Sequence, residues 1–266
     1  MPTVAVEGTR FFYEERGSGP PLLLIHGTGG NTGMFADVAA QLASSYRVIS
    51  YDRRGFTRTE APLPGAKGYL RRQSDDAAGL LRELGAPNAT VVGWSMGGVV
   101  ALALAVQHPG SVSRLVLYEP PLHAKKHMGV RVASALGGAV GLAKMGLHQR
   151  AAKRFFRFAL AYNKGGNAFD ELAPAMRESA LANARAVIAE LKAGSGEDLS
   201  REELAAITCP VGLIVGARSA RFLIDATDRC AAMFPSAKLI RVQDGDHVMN
   251  IRQPDVLARA IRSLAP

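Results

Sequence analysis

The chain has 266 residues, 48% of them hydrophobic and 21% charged, a balance that is typical of a large globular domain and excludes a chain disordered along its length. Its net charge is +9, and its two cysteines, Cys209 and Cys230, are too few for a disulfide framework. The first residues show no basic and apolar segment of the secretory kind, and no cluster has metal-ligand spacing, so we expect a soluble cytoplasmic protein without a metal centre.

The first half of the chain alternates between predicted strands and predicted helices. Residues 3–6 and 10–15 alternate in polarity around Glu7-Gly8-Thr9, which indicates an antiparallel hairpin. Apolar runs and helical spacing then predict strands at 22–25, 46–51, 90–94 and 115–118, and helices at 31–44, 69–84 and 96–108. This order predicts an α/β fold, with a mostly parallel, doubly wound sheet that carries helices on both faces.

Residues 121–204 interrupt the alternation. They contain helical patterns, such as the one over 175–192, and no convincing strand. The alternation then returns, with strands at 211–215 and 238–242 and helices at 222–234 and 254–264. We therefore expect a core formed by residues 1–120 and 205–266, with residues 121–204 inserted as a helical lid over the carboxyl ends of the strands, where open α/β sheets place their sites.

This helical segment, residues 121–204, is basic in its first half. No acidic residue occurs between Glu119 and Asp170, and a solvated helical face is the simplest interpretation of the charge. No nucleic-acid-binding motif accompanies it and no apolar run is long enough to span a bilayer, so we expect neither a nucleic-acid nor a membrane partner. The nine cations of this stretch are Lys125, Lys126, Arg131, Lys144, Arg150, Lys153, Arg154, Arg157 and Lys164.

The sharpest motif is Gly93-Trp94-Ser95-Met96-Gly97-Gly98, where a predicted strand meets a predicted helix. A serine in such a tight turn projects its hydroxyl off the sheet, and side chains two residues to either side would collide, which explains the glycines. The following helix directs its N-terminus toward a developing oxyanion. The motif therefore predicts that Ser95 is a nucleophile.

A second glycine-rich turn, His26-Gly27-Thr28-Gly29-Gly30, directly follows the predicted strand 22–25. Together with the serine turn it resembles the α/β-hydrolase superfamily, whose members often carry His-Gly at this place. The resemblance covers the core on both sides of the lid. It implies the α/β-hydrolase fold, and it implies that the backbone N–H groups of Thr28 and Met96 form the oxyanion hole. We expect His26 to fasten the loop, and we interpret the family-like turn at 51–59 as structural.

A serine nucleophile needs a base, and the chain has six histidines. His108 ends a predicted buried helix, while His123, His127 and His148 lie in the basic stretch. His247 follows the last predicted strand, which matches the position of the family's histidine and gives the chain order serine, acid, histidine. We therefore favour His247 as the general base.

The acid that orients the histidine is the open member of the triad. In most of the superfamily it is an aspartate after the strand that follows the lid, but here that strand continues as Gly216-Ala217-Arg218-Ser219. We favour Glu119, at the end of the strand before the lid, because some members of the superfamily carry their acid there and the two strand ends are neighbours in the expected sheet. The alternatives are Asp225, in a predicted helix, then Asp244, Asp246 or no acid at all.

These assignments predict acyl transfer from a small carboxylic ester or lactone through an acyl-enzyme, with no metal or organic cofactor. Apolar residues of the lid would cover the apolar part of the substrate. The motif residues do not separate this function from a cofactor-free perhydrolase of the haloperoxidase kind, a C–C bond hydrolase or a non-catalytic ligand-binding protein on the same fold. They also leave the oligomeric state open.

Overall fold

Eight strands form one sheet in the computed structural model, which describes residues 2–127 and 129–265 apart from the side chain of Arg131. The strands are β1 Thr3–Val6, β2 Thr9–Arg16, β3 Pro21–Ile25, β4 Arg47–Tyr51, β5 Ala89–Trp94, β6 Val112–Tyr118, β7 Val211–Gly216 and β8 Lys238–Val242. Their order across the sheet is β1-β2-β4-β3-β5-β6-β7-β8. β2 pairs antiparallel with both β1 and β4, and the remaining pairs are parallel.

The central strands are apolar on both faces because helices cover both faces. In β3, Leu22 and Leu24 face one hydrophobic cluster, whereas Leu23 and Ile25 face the other, and all four are fully buried. Successive residues of this apolar strand thus enter the two cores in turn, as a doubly wound sheet with helices on both faces requires. The predicted fold class, an α/β fold with a mostly parallel, doubly wound sheet, is therefore confirmed.

Twelve α-helices accompany the sheet in the described part of the chain. α2 and α3 contribute to the cluster on one face, and α1 and α12 contribute to the cluster on the other face. The helices are α1 Ala36–Leu42, α2 Tyr69–Glu83, α3 Met96–Gln107, α4 Val130–Lys144, α5 His148–Ala159, α6 Ala168–Glu171, α7 Pro174–Ala182, α8 Ala184–Ala193, α9 Arg201–Ala205, α10 Arg221–Ala231, α11 Met249–Arg252 and α12 Pro254–Leu264.

The helical segment lies between β6 and β7 and holds α4 to α9. Among its described residues the extended structure amounts to one isolated bridge, between Ala161 and Asn167. Phe156 of α5 and Val187 of α8 join the same cluster as Trp94 of β5, so the segment packs onto the sheet rather than beside it. The expected boundary after residue 204 falls inside α9, and Leu204 of this helix is buried in the core cluster that contains α3.

One helix predicted from the sequence is two helices in the structure. The pattern over 175–192 is divided at Asn183, which lies between α7 and α8. The Asn183 side chain accepts a hydrogen bond from the Thr57 N–H (2.9 Å) and donates one to the Gly29 carbonyl oxygen (3.1 Å). Asparagine competes for backbone groups in this way, which explains the interruption. In the described ranges, no helix has the length and apolar character to cross a bilayer.

Candidate active site

Ser95 occupies a strained turn between β5 and α3. Its φ of 54° and ψ of −123° lie in a region that side chains rarely adopt, and its N–H donates to the Tyr118 carbonyl oxygen at 2.8 Å. A Cβ on Gly93 would collide with the backbone of Gly97, and a Cβ on Gly97 would collide with the carbonyl oxygen of Ile25. The two flanking glycines are therefore required by close backbone approach, and they let Ser95 line a cavity above the sheet.

His247 and Glu119 form a buried hydrogen bond of 2.5 Å between Nδ1 and Oε2. Their side chains are 5% and 0% exposed. Because the Nδ1–H donates to the carboxylate, Nε2 is the ring nitrogen that can accept a proton. His247 lines the same cavity as Ser95, and its carbonyl oxygen accepts the indole N–H of Trp94 at 2.8 Å.

The second carboxylate oxygen of Glu119 is also bonded. Oε1 accepts the N–H of Gly216 at 2.7 Å and the hydroxyl of Ser219 at 2.6 Å. These donors and the His247 ring stabilise a charge that burial alone would make costly. Glu119 has a φ of 47°, so a sharp backbone turn directs its side chain across the end of β7.

The other carboxylates considered from the sequence have different partners. Asp225 lies on α10, is 38% exposed and pairs with Arg221 one turn earlier at 2.9 Å. Asp246 accepts the Val248 N–H at 2.8 Å through one oxygen and pairs with Arg252 through the other. Asp244 is exposed. Within the described residues, Glu119 is thus the carboxylate that contacts the His247 ring.

Thr28 and Met96, the expected oxyanion donors, line the cavity together with Ser95 and His247. The loop that carries Thr28 is fastened by His26, whose Nδ1–H donates to the Gly27 carbonyl oxygen at 2.8 Å. The His26 Nε2 accepts the N–H of Arg53 at 3.0 Å. Because Nε2 accepts this bond, the ring is neutral, in agreement with burial and the Arg53 charge, which lower the pKa of His26 well below its usual value.

The cavity has two apolar lobes that meet at Ser95 and His247. One lobe, of about 70 Å³, is walled by the helical segment and by Phe222 of α10. The other, of about 40 Å³, reaches toward β5 and α11 and is closed by the stacked rings of Phe156 and Phe169. Such a shape suits two small apolar groups on either side of one reacting atom.

Three residues of the site have roles that the sequence interpretation did not assign. Ser219 stands where the usual aspartate was expected, and it donates to Glu119 instead. The indole N–H of Trp94 donates a hydrogen bond to the His247 carbonyl oxygen. Tyr118 donates to the Asp246 carbonyl oxygen and accepts the Met249 N–H, and burial with the nearby charges raises the pKa of Tyr118 well above its usual value. The sequence shows that Ser219 replaces the usual aspartate, whereas Trp94 and Tyr118 look like ordinary core residues in the sequence.

Comparisons with known proteins agree with this fold. The family model described as alpha/beta hydrolase fold matches residues 20–254. The uncharacterized hydrolase YraK of Bacillus subtilis is 41% identical over 121 residues, which are 45% of this chain and 44% of that protein, so the match spans less than half of its length. The pimeloyl-[acyl-carrier protein] methyl ester esterase of Chromobacterium violaceum is 31% identical over 261 residues, which cover 94% of this chain and 96% of that protein.

Solved structures also share this fold. The enol-lactonase from Burkholderia xenovorans LB400 superposes with a TM-score of 0.81 at 23% identity, covering 99% of both chains. The bromoperoxidase from Bacillus anthracis superposes with a TM-score of 0.79 at 21% identity, covering 97% of this chain and 95% of that one. At these identities the likeness establishes the shared fold.

Proposed function

Because the chain belongs to the alpha/beta hydrolase family, we propose that it is a serine hydrolase that cleaves a carboxylic ester or lactone with the triad Ser95, His247 and Glu119. The observation that carries the proposal is the buried 2.5 Å bond from His247 to Glu119, in a cavity that Ser95 also lines. A positioned base next to a strained serine, with a third group orienting the base, is the arrangement that activates a hydroxyl as a nucleophile.

The proposed reaction has two steps. Ser95 Oγ attacks the carbonyl carbon while His247 Nε2 takes the hydroxyl proton, and the N–H groups of Thr28 and Met96 stabilise the oxyanion. His247 returns the proton to the leaving alkoxide, which leaves an acyl group on Ser95. Water, deprotonated by His247, then attacks the acyl group and releases the acid and the serine hydroxyl. Glu119 keeps the Nδ1 proton and stabilises the imidazolium throughout.

Substrate size follows from the two lobes. Their small volumes and apolar walls favour an ester whose acyl and alcohol parts are both short and uncharged, or a compact lactone. We propose that the helical segment acts as the lid that closes over this substrate. The similar proteins include an esterase, an enol-lactonase and a bromoperoxidase, and the activities of those proteins guide the choice of test compounds.

The test combines a substrate panel with two variants. We expect the protein to hydrolyse short p-nitrophenyl esters and small lactones, and we expect Ser95→Ala and His247→Ala each to lower kcat/KM by about 10⁴-fold or more. A fluorophosphonate probe should label the wild type and fail to label Ser95→Ala, with the modified peptide identified by mass spectrometry.

Two results would contradict the proposal. One is Ser95→Ala retaining the ester activity of the wild type. The other is a fluorophosphonate that leaves Ser95 unmodified in a folded protein, as a non-catalytic ligand-binding protein would. Parallel assays with hydrogen peroxide and with a 1,3-diketone distinguish peracid formation and C–C bond cleavage from ester hydrolysis, since each would exceed the ester rate if it were the main reaction.

A further inference from the structure

A second buried ion pair lies behind the oxyanion loop. Arg53, which follows β4, pairs with Glu190 of α8 through an Nη1–Oε1 distance of 2.6 Å and an Nη2–Oε2 distance of 3.3 Å. Their side chains are 0% and 2% exposed, and the Tyr69 hydroxyl donates to the same carboxylate at 3.3 Å. Removing two charges from water costs about as much as their attraction returns, so stability alone is a weak explanation for such a pair.

The same guanidinium contacts the oxyanion loop directly. Arg53 Nε donates to the His26 carbonyl oxygen at 3.0 Å, and Nη2 donates to the Gly27 carbonyl oxygen at 3.2 Å. The Gly27 oxygen also accepts the His26 Nδ1–H at 2.8 Å and the Gly30 N–H at 3.1 Å. Three donors therefore fix the direction of one carbonyl group.

That carbonyl group belongs to the peptide that carries the Thr28 N–H. A trans peptide is planar, so its N–H points opposite to its C=O, and fixing the Gly27 oxygen also fixes the direction of the Thr28 hydrogen. Thr28 lines both lobes of the cavity, and Glu190 lines the first lobe. The chain of contacts thus runs from α8 of the helical segment, through Arg53, to the peptide that carries the Thr28 N–H, the proposed oxyanion donor.

We propose that Arg53 and Glu190 are positioning residues that aim the Thr28 N–H at the oxyanion, an inference that rests on the proposed acyl transfer at Ser95. Glu190 holds the guanidinium in place, and the guanidinium holds the Gly27–Thr28 peptide. A donor aimed at the place where charge develops stabilises the transition state more than the bound substrate, so this contribution belongs in kcat rather than in KM.

The chain provides a matched control. Arg54, the next residue, pairs with Asp76 of α2 through bonds of 2.6 and 2.7 Å. Arg54 lies in the same turn as Arg53 and its pair is also buried, but its guanidinium bonds to Asp76 and to the Thr9 hydroxyl instead of the oxyanion loop. An apolar replacement of either pair removes two buried charges, a change that is often tolerated by the fold.

The experiment compares the double variants Arg53→Met/Glu190→Met and Arg54→Met/Asp76→Leu. For the first we expect kcat on p-nitrophenyl butyrate to fall by about 10- to 100-fold with KM within about threefold, because one oxyanion donor is misaimed but present. The inhibition constant of a trifluoromethyl ketone, which forms an oxyanion on Ser95, should rise by a similar factor. For the Arg54 pair we expect kcat within about threefold of the wild type.

A second variant and a second readout keep the inference testable if the first double variant does not fold or if the wild type cleaves no ester. Arg53→Lys keeps the charge near Glu190, but a single ammonium cannot replace the planar fork that bonds two carbonyl oxygens and a carboxylate, so a partial loss of kcat is expected. Hydrogen exchange of the Thr28 amide, read by NMR, needs no turnover and should be faster by about tenfold in either Arg53 variant than in the Arg54 pair.

Equal kcat values and equal Thr28 exchange rates in the Arg53 variants and the control pair would overturn the inference. A loss of activity that appears in KM alone, with unchanged affinity for the trifluoromethyl ketone, would also overturn it. Both results leave the acyl-transfer proposal intact, since Ser95→Ala tests that proposal separately. If the wild type is inactive on esters, the acyl-transfer proposal fails while the Thr28 exchange rates still decide whether Arg53 holds the loop.

Discussion

Two regions of the molecule meet at the cavity, and different interactions hold them. The carboxyl edge of the sheet, which we call the site edge, carries Ser95, Glu119 and His247, and each is fixed by hydrogen bonds between buried groups. The helical segment contributes mainly apolar side chains, such as Phe155 and Phe158 of α5, which are held by packing.

From this difference we expect the site edge to carry out the reaction and the helical segment to select the substrate. Hydrogen bonds are directional, so the site edge can hold reacting groups in one geometry, whereas apolar packing sets the size and shape of a space. We therefore expect substitutions at the site edge to change the rate with every ester, and substitutions in the helical segment to change which ester is preferred. Glu190 and Asn183 are polar exceptions in the segment, and both bond to loops at the site edge.

The largest effect expected in this comparison is at the acid. Glu119→Gln should lower kcat by about 10²- to 10⁴-fold with the fold intact, because an amide carries no charge to stabilise the imidazolium of His247. Steady-state kinetics on short p-nitrophenyl esters, with circular dichroism to check the fold, measure this change. The loss should be similar for every ester, since Glu119 contacts the base rather than the substrate.

The matched control is Asp225→Asn. Asp225 has its own partner, Arg221, on an exposed turn of α10, so kcat should stay within about twofold of the wild type. A reversed ranking of the two variants would remove Glu119 from the triad and leave the roles of Ser95 and His247 standing.

The site edge was largely predictable from the sequence, because its signals are local. Gly93 and Gly97 flank Ser95 and mark it in the sequence, and in the structure close backbone contacts leave no room for a side chain at either position. Glu119 follows a strand, and the alternation of strands and helices placed the end of that strand beside β7. Order along the chain and parallel topology were enough to bring these groups to one edge.

The connection between the helical segment and the site edge was not predictable in the same way. Glu190 and Arg53 are 137 positions apart in the sequence, and nothing near either residue indicates a buried partner. Asn183 looked like one position within a single helix, whereas the structure uses its amide to bond Thr57 and Gly29. Such pairings depend on how an insertion docks, and docking is decided by packing over many residues rather than by a motif.

The next effect tests the helical segment as the region that selects the ester. Phe158 of α5 stacks on Phe222 of α10 with ring centroids 4.8 Å apart, and the two rings separate the first lobe from an outer cleft that they also line. In Phe158→Ala the lobe should open into this cleft. The ratio of kcat/KM for p-nitrophenyl octanoate to that for p-nitrophenyl acetate should then rise by about tenfold, since an added apolar contact in a pocket is worth that order.

A control for this change is Val130→Ala. Val130 also lies in the helical segment but is 87% exposed, so its truncation should leave the ratio of the two esters unchanged. If Phe158→Ala instead lowered activity on both esters equally, the aromatic pair would serve the geometry of the site rather than the length of the chain it accepts.

The smallest effect concerns stability and compares a histidine of the site edge with one of the helical segment. Burial and the Arg53 charge lower the pKa of His26, so the folded protein keeps this ring neutral at a pH where the unfolded chain, with a histidine pKa of about 6.5, binds a proton. The unfolded state then binds more protons, and the free energy of unfolding should decrease as pH falls below about 6.5, by at most about 1.4 kcal/mol per pH unit. Urea unfolding at several pH values between 5 and 7.5 measures this slope.

His26→Asn, which removes the titrating group, should show a shallower slope than the wild type, while His127→Asn, at an exposed position, should keep the wild-type slope. If His26→Asn keeps the full slope, another buried group is responsible for it, and the neutral ring that fastens the Gly27 carbonyl loses its support.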